Sequence, residues 1–168
     1  IAYLKLIYQP SDTISFRRVV NVPKRGLGEV SVGKFLAWQS GSGLNVLDAL
    51  VRADDCAELT SRARKTLSQL GRALSEINKL ASTESPDRII EEIMRRFDYG
   101  GYLDDGTERG EERRQNVDEL ISMAKEYGDL TSFLEEVALV SGADAVNDDD
   151  AVTLMTLHAA KGLEYPVV

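Results

Sequence analysis

The only histidine of the sequence, His158, stands in a polar turn with Lys161, Gly162 and Glu164. An apolar run over residues 152–157 comes directly before this turn and predicts a strand. A buried strand that leads into such a turn is how α/β nucleotide-dependent enzymes place polar groups at the end of a sheet. We therefore predict part of a nucleotide-dependent α/β domain here. Because the rest of the sequence contains almost no other strands, we expect this domain to be incomplete.

His158 also has simpler interpretations. A structural metal site needs several ligands, and the sequence has no second histidine and a single cysteine, Cys56. No serine stands in a nucleophile-elbow pattern, which argues against a catalytic triad. A lone histidine at the end of a strand is usually a residue with satisfied hydrogen bonds. From the residues alone, that interpretation stays open, and we predict no metal site.

A second candidate site is formed by Lys24, Arg25, Gly26, Leu27 and Gly28. Two glycines around one apolar residue allow a tight turn that exposes consecutive backbone N–H groups. Together with a following helix N-terminus, such groups suit a phosphate oxygen. The leucine is expected to anchor the turn in the core, and the two cations add charge-assisted contacts. The alternative is an ordinary corner between two helices.

The segment from Gly28 to Lys34 imitates a phosphate-binding loop. The next position is Phe35, where a hydroxyl is needed to ligate Mg²⁺. A buried strand does not precede the segment, because the upstream residues predict a helix that ends at Pro23. We interpret residues 28–35 as the start of a helix capped by Ser31.

Spacing of apolar residues, caps and breakers predicts a mainly α-helical body. The longest helix, over residues 59–81, carries an apolar stripe typical of a core-facing surface. Ser11 or Asp12 is expected to cap one helix, Ser85 another and Ser132 a third. The remaining helices are predicted over residues 1–8, 13–21, 30–39, 44–51, 111–127 and 132–140, with one more that begins at Pro86 and is ended by residues 99–102.

Composition limits the class of protein. The chain has 168 residues and a net charge of −8, which argues against binding nucleic acid through charge over its whole surface. Basic residues nevertheless concentrate in residues 17–34, while residues 144–150 hold four aspartates. Chance clustering on a solvated surface explains the same pattern. No apolar run approaches the roughly 18 residues of a membrane span, and a single cysteine fits a reducing compartment, so we expect a cytoplasmic protein.

Three stretches resemble one family, the UvrD/PcrA/Rep helicases of superfamily one. Residues 156–168, Thr-Leu-His-Ala-Ala-Lys-Gly-Leu-Glu-Tyr-Pro-Val-Val, resemble helicase motif V. Residues 2–28 resemble the start of subdomain 2B, with Gly26-Leu27-Gly28 in place of the family's Gly-Ile-Gly element. Residues 110–120 provide a third match in the expected order. The resemblance covers essentially the whole chain, although residues 40–100 match only in helical pattern.

The resemblance implies roles for the candidate residues. In motif V, Thr156 and His158 are expected to face single-stranded DNA. Gly162 and Glu164, and more loosely Lys161, are expected on the ATP side, with Glu164 near the ribose. The turn formed by residues 24–28 is expected to touch the backbone of duplex DNA.

The sequence thus predicts a helical subdomain similar to 2B over residues 1–143, then an acidic linker and a strand-turn piece of a RecA-like α/β motor subdomain, 2A, over residues 144–168. We expect part of an ATP-dependent DNA helicase that moves from three-prime to five-prime. This part would bind duplex DNA and regulate unwinding. The expected partners are duplex and single-stranded DNA and the rest of the helicase chain, with no membrane.

ATP and Mg²⁺ are expected for the complete enzyme and no cofactor for the isolated chain. The sequence lacks a true phosphate-binding loop, an acidic Mg²⁺ motif and an arginine-bearing motif VI, so we predict no catalytic residue in it. One alternative is a non-enzymatic helical module that binds protein. Another is an independent phosphate-binding-loop enzyme that uses Lys34.

Overall fold

The computed structural model describes the backbone of residues 1–143 and side chains as far as residue 139. Within that range there are nine α-helices, one 3₁₀ turn and no strand. The prediction of a mainly α protein is confirmed. The predicted strand over residues 152–157 and the whole segment 144–168 lie outside the described residues. The helices are α1 Ala2–Tyr8, α2 Thr13–Val19, α3 Glu29–Ser42, α4 Val46–Val51, α5 Ser61–Leu80, α6 Pro86–Arg96, α7 Tyr99–Leu103, α8 Glu108–Ala124 and α9 Leu130–Ala143, with the 3₁₀ turn Ala53–Asp55 between α4 and α5.

Helix α1 lies at the centre of this arrangement and packs against α2, α5, α6 and α9. Its side chains Leu4, Leu6 and Ile7 are almost completely buried. Because α1 has only seven residues, packing rather than intrinsic propensity must stabilise it. The first helix of the chain therefore joins four of the other helices into one core.

Helix α5 supplies the longest face of the core, as its apolar stripe predicted. Leu59, just before the helix, and Ala63, Leu67, Leu70, Leu74 and Ile77 within it are buried, whereas Leu80 at its end is 37% exposed. On the same face, Gly71 lies directly against α4. A Cβ atom placed on Gly71 would come within 2.5 Å of both the carbonyl carbon of Leu50 and the nitrogen of Val51. The two helices thus touch backbone to backbone, and only glycine fits between them.

Local capping confirms two of the predicted helix starts. The Asp12 carboxylate accepts hydrogen bonds from the backbone N–H groups of Ile14 and Ser15, at 3.0 and 2.9 Å. Ser85 is the N-cap of α6 with Pro86 at its first turn, although the Ser85 hydroxyl bonds to Asp87 rather than to the backbone.

Several predicted boundaries differ from those of the structure. Helix α3 starts at Glu29 with Gly28 as its N-cap, so Ser31 lies inside the helix, and it continues to Ser42 before Gly43 adopts a left-handed φ of 70°. Asp129, not Ser132, caps α9, because the Asp129 carboxylate accepts the Ser132 N–H at 3.0 Å.

Residues 99–102, predicted as a break, form part of α7, where Tyr99 packs edge-on against Tyr3 with ring centroids 6.2 Å apart. Helix α8 begins at Glu108, earlier than predicted, because the Thr107 hydroxyl accepts the Gly110 N–H at 3.1 Å. In both cases the position of the helix depends on side-chain contacts that the spacing of apolar residues does not reveal.

Candidate nucleic-acid interface

The loop between α2 and α3 carries the predicted phosphate-binding turn. Gly26 has a φ of +71°, in the left-handed region that favours glycine. Leu27 is only 6% exposed and joins the hydrophobic core, so the predicted anchor is confirmed. Gly28 then adopts an extended conformation and becomes the N-cap of α3. The turn is therefore held to the core by Leu27 at its centre, with a glycine on either side of this anchor.

Asn21 closes this loop from the inside. Its side-chain oxygen accepts the Leu27 N–H at 3.1 Å, and its side-chain nitrogen donates to the Leu27 carbonyl oxygen. The prediction of consecutive free N–H groups is therefore wrong at Leu27, whose N–H points inward. In the part of the chain that is described, no side chain caps α3, so the N–H groups of Glu29 and Val30 in its first turn remain directed out of the helix.

Arg25 points inward and bonds to the end of α2. Its Nη1 donates to the carbonyl oxygens of Val19 at 2.8 Å and Pro23 at 3.2 Å. Its Nη2 donates to the hydroxyl of Tyr3 at 2.7 Å, and its guanidinium lies 5.1 Å from the ring centre of Phe97. A cation beside the C-terminal carbonyls of a helix is favourable for the helix dipole. The guanidinium predicted to face phosphate thus joins α1, α2 and the end of α6.

Tyr3 completes this contact. Its hydroxyl donates to the Val22 carbonyl oxygen while it accepts from Arg25. Burial raises the pKa of Tyr3, and the neighbouring Arg25 charge opposes that rise without cancelling it. The phenol therefore remains protonated at neutral pH and able to donate.

Lys24, by contrast, is exposed and forms no salt bridge within residues 1–139. The basic residue Arg17 pairs with Glu29 at 4.0 Å, and both side chains are largely exposed, so this pair contributes little to stability.

The structure places a further cation beside the turn, Arg62 of α5, which the sequence did not indicate. Its Nη2 lies 3.8 Å from the position of a Cβ atom on Gly26. Arg62 is far from Gly26 in the sequence, and only the packing of α5 brings it there.

Comparison with known proteins shows to which family the chain belongs. The family model described as the UvrD-like helicase C-terminal domain matches residues 1–168. The chain belongs to this family. It is 34% identical along its whole length to "ATP-dependent DNA helicase PcrA" of Bacillus subtilis, 31% identical to a protein of the same name in Staphylococcus aureus and 30% identical to one in Staphylococcus epidermidis. In each case it covers 24% of the relative, so the chain spans about a quarter of the length of these proteins.

For this member of the UvrD-like family, the apparent phosphate-binding loop is part of a helix. Residues 29–34 lie in α3, Lys34 is exposed on it, and Phe35 is fully buried. A loop that wraps a phosphate cannot form where the backbone is already helical. The interpretation of these residues as a helix start is confirmed, although its cap is Gly28.

Other reactive side chains in the described region have structural explanations. The thiol of Cys56 is buried and donates to the Glu58 carboxylate at 3.4 Å. Burial, and then the hydrogen bond to Glu58 and the charge of that residue, raise the pKa of Cys56, which makes the thiolate scarce at neutral pH. No cluster of potential metal ligands and no helix long and apolar enough to cross a membrane occurs in this region. The candidate residues Thr156, His158, Lys161, Gly162 and Glu164 all lie outside it.

Proposed function

We propose that this chain forms part of an ATP-dependent DNA helicase of the UvrD/PcrA/Rep type, and that its helical body holds the backbone of duplex DNA during unwinding. The family match and the names of the relatives support the helicase assignment. The local support for duplex binding is the exposed Lys24 beside a turn that Leu27 fixes to the core. The complete enzyme would use ATP and Mg²⁺ and move from three-prime to five-prime.

The proposed contact is electrostatic and independent of base sequence. An exposed lysine and outward N–H groups recognise phosphate oxygens, which are the same at every base pair. Since the chain has a net charge of −8, binding is confined to this surface and is weak. Non-specific complexes of this kind have dissociation constants of about 10⁻⁴ to 10⁻⁶ M at physiological salt.

Arg25 has a different part in this proposal from Lys24. Its guanidinium is bonded to Val19, Pro23 and Tyr3, so it positions the turn rather than contacting DNA. Lys24 and the N–H groups that follow Gly28 make the contact. The pair of adjacent cations therefore divides into one residue that shapes the surface and one that binds.

Residues 144–168 are proposed as the linker and motif V of motor subdomain 2A. In the complete helicase, Thr156 and His158 would face single-stranded DNA, while Lys161, Gly162 and Glu164 would lie near ATP. Replacing Thr156 and His158 with Ala should weaken single-strand binding, and Glu164→Ala should weaken nucleotide binding. The reverse pattern would contradict the assignment of the two sides.

Duplex binding is tested directly with a fluorescently labelled blunt duplex, titrated with the chain at several salt concentrations. We expect weak binding that falls steeply with salt. Lys24→Ala should reduce the slope of log K against log salt by about 0.9, the contribution of one phosphate. Lys79→Ala, at the far end of α5, is the matched control and should leave the slope unchanged. Absence of salt-dependent binding would instead favour the protein-binding module.

A further inference from the structure

Arg62 and Gly26 meet although they belong to separate elements. Arg62 is the second residue of α5, and Gly26 lies in the α2–α3 loop. Among the described residues, leaving aside the two that adjoin Gly26 in the chain, only Arg62 comes within 4 Å of a Cβ position on Gly26, with its Nη2 at 3.8 Å. Both residues are exposed, and the guanidinium lies beside the turn that also carries the exposed Lys24.

Within the described residues, the charge of Arg62 has no acidic partner. The first turn of α5 contains no acidic residue, and within residues 1–139 Arg62 forms no salt bridge. A cation in the first turn of a helix lies at the positive end of the helix dipole, which is unfavourable. Its neighbour Arg64, in contrast, donates to the Asp54 carbonyl oxygen at 3.4 Å. An external anion bound beside Arg62 would therefore offset this unfavourable interaction with the helix dipole.

We propose that Arg62 is a second phosphate-binding side chain of the duplex interface and acts across Gly26 together with Lys24. This inference rests on the proposed function. A guanidinium offers paired N–H donors that match two phosphate oxygens, whereas lysine supplies a point charge. The missing side chain at Gly26 leaves the space beside the Arg62 guanidinium open. The interface thus combines the α2–α3 loop with the start of α5.

The test compares Arg62→Ala, Arg62→Lys, Lys24→Ala and the double variant Lys24→Ala/Arg62→Ala in the same duplex titration. Lys79→Ala is the control, since it removes one exposed cation about 25 Å along the same helix. Each phosphate contact accounts for about a threefold loss of affinity between about 50 and about 200 mM salt. We expect the salt-induced loss of affinity to be about threefold smaller for Arg62→Ala than for the parent. For the double variant, we expect it to be smaller by that factor applied twice, about tenfold. Arg62→Lys should keep the salt dependence and lose affinity.

The outcomes separate the two proposals. If Lys24→Ala weakens binding and Arg62→Ala does not, the Arg62 contact is wrong and the proposed duplex surface stands. An equal loss from Arg62→Ala and Lys79→Ala would show an effect of net charge alone, which also overturns the contact. If the parent chain shows no duplex binding at low salt, both proposals fail. Because Arg62 is exposed and forms no salt bridge within the described residues, its variants should be at least as resistant to urea as the parent.

Discussion

The Nη2 atom of Arg25 lies 2.7 Å from the hydroxyl oxygen of Tyr3, which joins the α2–α3 loop to the central helix α1. The same guanidinium reaches the carbonyl oxygen of Val19 at 2.8 Å. The adjacent Lys24 makes no comparable contact within the described residues and is exposed. Two neighbouring residues of the same charge therefore have separate roles, which mutation can distinguish.

Arg25→Ala should lower the free energy of unfolding by about 2 kcal/mol, since hydrogen bonds from a charged donor contribute about 1.5–3 kcal/mol. Arg25→Lys should restore only part of it, because one ammonium cannot reproduce the planar fork of donors. Urea denaturation followed by circular dichroism measures both. Lys24→Ala is the control and should change stability by less than about 0.5 kcal/mol. Equal stability of the two alanine variants would contradict the assigned roles.

The left-handed conformation of Gly26 gives a second prediction. Gly26→Val should destabilise the protein by at least about 1–2 kcal/mol, because side chains are strained at a φ of +71°. Gly26→Asn should be milder, since asparagine tolerates this region. Thermal unfolding of the two variants compares them at similar side-chain size. Should valine and asparagine behave alike, the backbone conformation would not be the cause.

Two helix glycines should respond in opposite directions to alanine. Gly71→Ala should destabilise by about 2 kcal/mol or more, because its new methyl group would meet the backbone of α4 at 2.5 Å. The methyl group of Gly33→Ala in α3 would meet none of the described residues within 4 Å and should stabilise the protein by about 0.5–1 kcal/mol through helix propensity. Urea unfolding curves provide both values. A stabilising Gly71→Ala would show that α4 and α5 are not in backbone contact.

The cap of α2 predicts a pH dependence. Partial burial on its own raises the pKa of Asp12, but hydrogen bonds from Ser15 and Ile14 outweigh it, so the pKa is lowered in the folded protein. Asp12 therefore stabilises the fold above its unfolded pKa of about 3.9, and this contribution is lost as the pH falls through the lower folded value. Asp12→Ala should cost about 1 kcal/mol at pH near 7.

That cost should shrink as the pH falls below about 4, when the wild-type carboxylate takes up a proton. Unfolding experiments over this pH range compare wild type with Asp12→Ala. Asp12→Asn keeps an accepting side chain that does not titrate, and serves as the control. A penalty for alanine that stays constant down to strongly acidic pH would show that the charged cap is not responsible.

The chain alone should hydrolyse no ATP above background, with or without DNA. Its apparent phosphate-binding loop is helical in α3. The sequence also lacks the loop lysine, the acidic Mg²⁺ motif and the motif VI arginine that phosphoryl transfer needs. A phosphate-release assay on pure protein tests this, with the complete helicase as the positive control. DNA-stimulated turnover by the chain would require a different function.

Features encoded locally were predictable from the sequence. The stripe from Ala63 to Ile77 repeats at helical spacing, and caps such as Asp12 act on residues two or three positions away. These contacts need no knowledge of the rest of the fold. The burial of Leu27 was predictable in the same way, since an apolar residue between two glycines in a basic loop is expected to pack into the core.

Features that depend on packing between distant elements were not predictable. Lys24 and Arg25 carry the same charge in adjacent positions, and the course of the loop past Val19 and Tyr3 decides which one turns inward. The contact of Arg62 with Gly26 depends on how α5 crosses the α2–α3 loop. Residues 40–100, which include Arg62, resemble the family only in helical pattern, so this part of the sequence did not indicate the contact with Gly26.

The pairing of Asn21 with both the N–H and the carbonyl of Leu27 has a thermodynamic consequence. A loop already held in one conformation loses little conformational entropy when a ligand arrives. Contact with phosphates through exposed polar groups also buries little apolar surface, which keeps the heat-capacity change of binding small. The favourable entropy then comes chiefly from ions released by the DNA. Calorimetry of duplex binding should therefore show a heat effect that hardly varies with temperature, in contrast to a segment that folds as it binds.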